Sequence, residues 1–89
     1  MKSIITVLGN DAVGIIAKVS AFLAENDINI IDISQTTEDN QFLMVMVVDM
    51  SEASISFFDT ASGLKKIGIS MGLKIHMRHK TVFDSIHRI

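Results

Sequence analysis

The first run, Ser3-Ile4-Ile5-Thr6-Val7-Leu8, is rich in β-branched side chains and breaks at Gly9-Asn10-Asp11, which predicts a strand followed by a turn. The apolar positions then shift to Val13, Ile16, Val19, Phe22 and Leu23 and stop at Glu25-Asn26-Asp27. That three-and-four spacing predicts a helix with one buried face over about residues 12–26. Residues 28–36 and 41–49 return to β-rich sequence, joined by the polar Thr37-Glu38-Asp39-Asn40 in a length typical of hairpins. In the second of these runs, Phe42-Leu43-Met44-Val45-Met46-Val47-Val48 is apolar at both alternating sets of positions. A strand of that kind normally has both faces covered, and one layer of helices covers only one of them.

Ser51-Glu52 is placed to cap a second helix whose buried stripe would be Phe57, Ala61, Leu64, Ile67 or Gly68, and Met71, ending at Gly72. Its Ser, Thr and Gly content makes it weak on propensity, so packing has to hold it. Leu73, Ile75 and Met77 then alternate with Lys74, His76 and Arg78, as in a strand with one solvated face. Over about residues 81–89, Val82, Ile86 and Ile89 share a helical face with Phe83 beside them. A terminal helix this apolar is expected to dock, with the open face of the sheet, on its own subunit or on a partner, as its target. The order βαββαβ with right-handed crossovers gives a ferredoxin-like α/β (α+β) sandwich, a four-stranded antiparallel sheet with two helices on one face. Residues 1–89 are expected to form a single domain, since no linker or low-complexity stretch divides them.

Composition sharpens this picture. The hydrophobic fraction of 48% exceeds what the thin core of an 89-residue domain needs, and no apolar run is of membrane length. The surplus points to a subunit interface, hence to a homodimer. There is no Cys for a disulfide, a thiolate nucleophile or a Cys-ligated metal, and Met1-Lys2-Ser3-Ile4 begins a strand pattern at once, leaving no room for a signal peptide. A cytoplasmic location is expected. The net charge of -2 gives no reason to expect a nucleic-acid partner. Basic groups gather late: Lys74, Arg78, Lys80 and Arg88, with His76, His79 and His87, stand against Asp84. His76 and His79, three apart in or just beyond a strand, point away from each other and are expected as surface histidines.

No catalytic arrangement emerges. Acylphosphatases share this topology but need an Arg in the first loop, and Leu8 to Lys18 contains none. RNA-recognition domains stack bases on central-strand aromatics, where this chain offers only Phe42, and heavy-metal domains need a Cys-x-x-Cys loop. Neither a metal nor a cofactor is expected.

The stretch Gly9-Asn10-Asp11-Ala12-Val13-Gly14-Ile15-Ile16-Ala17, with Asp27-Ile28-Asn29-Ile30 after the helix, resembles the ACT domain family. That family's pattern runs strand, Gly-x-Asp-x-x-Gly-Ile/Leu, helix, then Ile-Asn-Ile; the usual Pro before the second Gly is Val13 here. Asp32-Ile33-Ser34-Gln35-Thr36 and the ending Phe83-Asp84 with Ile86-His87-Arg88-Ile89 are similar to the small free-standing bacterial and archaeal ACT proteins grouped as UPF0237. The resemblance covers essentially the whole chain. It implies a regulatory module that is not an enzyme, acts as a homodimer and binds a small molecule such as an amino acid where the first loop faces a second copy. Gly9, Asn10, Asp11, Val13, Gly14, Ile15, Asn29 and Ile30 are the ligand-binding candidates.

The residues themselves support that use. A helix N-terminus offers unpaired N–H groups and partial positive charge to a carboxylate, while Asn10 and Asp11 could hold an ammonium group. Each has a plainer alternative. Asp11 is placed as an ordinary N-cap accepting from the N–H of Val13 or Gly14, Gly9 as a turn residue, and Gly14 as a site of tight helix-on-sheet packing. The alternative for the whole chain is a structural interaction module with no ligand, docking a protein partner.

Overall fold

A computed structural model describes residues 1–10, 13–81 and 84. Its elements are β1 (Lys2–Gly9), α1 (Ile15–Glu25), β2 (Asn29–Glu38), β3 (Gln41–Asp49), α2 (Phe57–Met71) and β4 (Lys74–His79). The four strands form one antiparallel sheet in the order β2-β3-β1-β4. This is the expected ferredoxin-like arrangement. Among the described residues, no helix is long and apolar enough to cross a membrane.

Strand alternation decides the core. Ile5 and Val7 on β1, with their register partners Met46 and Met44 on β3, are fully buried beneath Val19 and Leu23 of α1 and Leu64 of α2. The opposite face of β3 is not covered in the same way, since Leu43 remains 42% exposed. On that same face Ile4, the register partner of Val47, is buried, so among the described residues the second face of the sheet is covered in part.

Helix α1 begins later than the periodicity suggests, and this rotates its buried stripe. Gly14 is the N-cap residue, at φ 78° and ψ -5°, and Ile15, Val19 and Leu23 form the inward stripe. Val13, expected inside, is 84% exposed, and Ile16 also faces out. With the helix starting at Ile15, spacing by four from that residue fixes which of the adjacent Ile15 and Ile16 turns to the sheet. The helix ends as Asn26 donates its side-chain N–H to the Phe22 carbonyl at 2.8 Å, and Asp27 takes φ 58°.

The start of α2 also differs from expectation. Its cap is Ser56, whose Oγ accepts the Asp59 N–H at 3.0 Å, with Asp59 adding negative charge in the first turn. Ser51 and Glu52 lie in the preceding turn, where Ser51 donates through both N and Oγ to Asp49 Oδ1. Those two bonds, with the Met1 ammonium 3.5 Å away, hold the Asp49 carboxyl below its ordinary value. Gly72 closes α2 at φ 70°, as expected, with the Leu73 N–H reaching back to the Gly68 carbonyl.

On β4, Leu73 and Ile75 flank Lys74 in the expected alternation, the apolar pair buried and the lysine exposed. Lys80, Thr81 and Asp84 are helical, and Lys80 pairs with Asp84 four residues on. The remainder of the expected terminal helix lies outside the described residues.

Candidate functional site

β1 carries Gly9 and Asn10 to the end of the sheet where β3 and β4 both begin. The register pairs Gly9 with Phe42 and Leu8 with Lys74, so the end of β1 and the starts of β3 and β4 converge there. Between them lies an open hollow of about 190 Å³, lined by Leu8, Gly9, Asn10, Gln41, Gly72 and Lys74. Two amides and an ammonium group therefore face one small space, with no acidic side chain among the described residues that line it. The Lys74 ammonium and the amide N–H groups donate to an anion such as a carboxylate, and the amide oxygens of Asn10 and Gln41 accept from an ammonium.

Gly9 has a packing duty of its own. A Cβ at that position would come within 1.8 Å of Leu73 Cδ2, so a side chain there would displace the end of Leu73. Gly14 differs: a Cβ there meets none of the described residues within 4 Å, which speaks against helix-on-sheet packing as its reason. Its requirement is the left-handed backbone, which glycine adopts without strain. As N-cap it contributes no side-chain hydrogen bond, and the first turn of α1 carries no acidic residue. The contrast with α2 and its Ser56 cap is direct. Asp11 is not the N-cap of α1, because the helix starts at Ile15, and Asp11 itself lies outside the described residues.

The remaining candidates separate. Val13 stands exposed before the helix, whereas Ile15 is fully buried in the core, so only its backbone belongs to the loop surface. Asn29 and Ile30 lie at the far end of the sheet, since Asn29 pairs with Asp49 and Asp49 with Lys2. Lys2 and Gly9 are seven strand positions apart, about 23 Å. Within one chain, Asn29 does not share a site with Asn10. Of the histidines, His76 is exposed, while His79 is half-buried and stacked on Phe57 with ring centroids 4.5 Å apart, which corrects the surface assignment for His79. His87 lies outside the described residues.

Gln41, Gly72 and Lys74 were not among the sequence candidates. Lys74 carries a signal in hindsight, as the first polar residue of a strand that must pair with β1.

Sheet order, helix placement and the first strand-to-helix loop define a ferredoxin-like α+β module. The profile of the ACT domain family matches residues 3–78. A UPF0237 protein of Clostridium acetobutylicum is 45% identical over the full length of both chains. Another, from Methanocaldococcus jannaschii, is 43% identical over 99% of this chain and 98% of its own. Among solved structures, an ACT domain protein from Streptococcus pneumoniae superposes with a TM-score of 0.81 at 39% identity, covering 94% of each chain. The chain belongs to the ACT domain family. ACT domains generally bind small ligands such as amino acids in regulatory roles.

Proposed function

We propose that this protein is a regulatory module, not an enzyme, which binds a free amino acid as a homodimer with the ligand at the seam between two copies. The observation that carries the proposal is the hollow walled by Asn10, Gln41 and Lys74, donor-rich and without an acid among the described residues that line it. A hollow of about 190 Å³ is smaller than the roughly 300 Å³ at the low end for drug-sized ligands, so it suits the head group of a small metabolite.

The seam is supported by what one chain lacks. β2 is an edge strand of ten residues, with Ile31 46% and Ile33 39% exposed. Such an edge is a template for pairing. Antiparallel pairing of β2 with the β2 of a second copy reverses one chain relative to the other. It carries the partner's Asn29 toward the end of the sheet where Asn10 lies.

Thermal unfolding against a panel of amino acids and common metabolites at millimolar concentration tests this. A ligand at about a hundred times its dissociation constant adds roughly 2.7 kcal/mol of stability, a shift of several degrees for a domain of this size. The expected result is a shift with one compound or a narrow group, abolished by Asn10→Ala and by Lys74→Ala. If no compound shifts the transition, the amino-acid proposal fails and the ligand-free interaction module takes its place.

A further inference from the structure

The sheet has a second edge, at β4. This strand pairs with β1 on one side, and no described strand pairs with the other. Every second residue along the free side therefore turns its N–H and C=O outward. Helix α2 lies directly over β4, since a Cβ at Gly68 would sit 2.8 Å from the Leu73 carbonyl oxygen and 3.1 Å from Ile75 Cγ1. Gly63, where a Cβ would meet the Phe22 ring, marks the side of α2 turned to α1. At about 100° per residue, Lys65 stands about 200° round the helix from Gly63, away from α1. Phe58 and Ile69, at helical spacing from Lys65, share that side and are 75% and 71% exposed. As α1 packs toward β2 and α2 toward β4, this stripe overhangs the free edge. Between the overhang and the strand runs an open groove of about 400 Å³, lined by Lys65, Ile69, Leu73, Lys74, Ile75 and His76. No acidic side chain is among the described residues that line it.

We propose that this edge takes up an extended acidic segment of another protein, added as a fifth strand beneath the overhang of α2. Backbone, packing and charge agree on that occupant. The outward N–H and C=O groups of β4 supply the ladder, and alternate side chains of the incoming strand supply the specificity. Those on the helix side meet Ile69, Ile75 and the continuation of the stripe at Phe58, so they are apolar. Those on the other side run past the exposed His76 and Arg78, so they are acidic, and Lys65 adds a cation at the groove. The same basic face excludes a second copy of this chain. Two β4 strands paired antiparallel about His76 would set Lys74 against Arg78 twice, and like charges directly opposite are destabilising. Lys74 also lines the hollow at Asn10 and is left unchanged in the test. The β2 edge takes no part in this contact.

The probe is a fluorescein-labelled peptide of about eight residues alternating glutamate and valine, a usual strand length, followed by anisotropy against the full chain. Saturable binding is expected at low salt, weakening as salt rises. Lys65→Glu combined with Arg78→Glu should weaken it by roughly tenfold or more. That double variant should instead bind the peptide in which lysine replaces glutamate, which wild type does not. Ile69→Ser keeps every charge and should also weaken binding by roughly tenfold. Lys65, Ile69 and Arg78 are exposed, and thermal unfolding is recorded for each variant so that only folded protein is compared. Two further peptides carry N-methyl groups at the odd or at the even residues, which blocks the ladder on one side or the other and leaves the charges alone. One of the two should bind at least about tenfold more weakly than the other, since only one side of the strand faces β4. Absence of saturable binding, binding unchanged in Ile69→Ser and in the charge variant, or equal binding of the two methylated peptides would overturn the proposal.

Discussion

Gly14→Ala isolates the backbone contribution of the first loop. Gly14 sits at φ 78° and ψ -5°, and a Cβ there meets none of the described residues within 4 Å, so alanine adds conformational strain without a clash among them. Holding an L-residue with a Cβ in the left-handed region costs roughly 1–2 kcal/mol. A loss of about 1 kcal/mol lowers Tm by roughly 4–8 °C in a domain of 60–100 residues, so the variant should melt about 4–16 °C below wild type. Two further substitutions separate strain from packing. Asn, which tolerates the left-handed region, should recover part of the loss, and D-alanine introduced by chemical ligation should recover all of it. The assay is a two-state thermal melt by circular dichroism, repeated by calorimetry. If D-alanine is as harmful as L-alanine, contacts rather than backbone geometry govern the position and the reasoning fails. An L-alanine variant that melts with wild type refutes it too.

The buried Ser3 Oγ has no hydrogen-bond partner among the described residues, so Ser3→Ala should be neutral or stabilising by about 1 kcal/mol; a clear drop in Tm would mean that the hydroxyl is satisfied in solution. Met44 is fully buried, and Met44→Ala should cost about 2–5 kcal/mol in denaturant unfolding, a large share of the stability of a small domain; a loss under 1 kcal/mol would contradict the packing described here. Asp49 is held below its ordinary value of 3.8 by the Ser51 hydrogen bonds, so its contribution is fully present above pH 3.8 and is lost as pH falls through the lower folded value. Stability curves for wild type and Asp49→Asn should accordingly converge on acidification below about pH 4, and a gap that stays constant through that range would show that Asp49 is not the titrating group.

Much of the fold was legible because strand alternation is strong in this chain. β3 runs over the same residues that its pattern predicts, and β4 and the Gly72 stop fall within one residue of expectation. Helix starts were less legible because they turn on single backbone angles and single hydroxyls. Ser51, Ser54 and Ser56 all precede α2, and only Ser56 stands three residues before an N–H that its Oγ receives. For α1, the left-handed Gly14 sets the start, and Gly-x-Asp-x-x-Gly spacing does not disclose which glycine takes that angle. At the site, Asn10 was accessible from the loop motif, but Gln41 and Lys74 reach it only through sheet register. The position of Asn29 was deducible. Two antiparallel pairings in series, β1 with β3 and β3 with β2, make β1 and β2 run the same way, so the start of β2 lies by the start of β1 and away from Asn10.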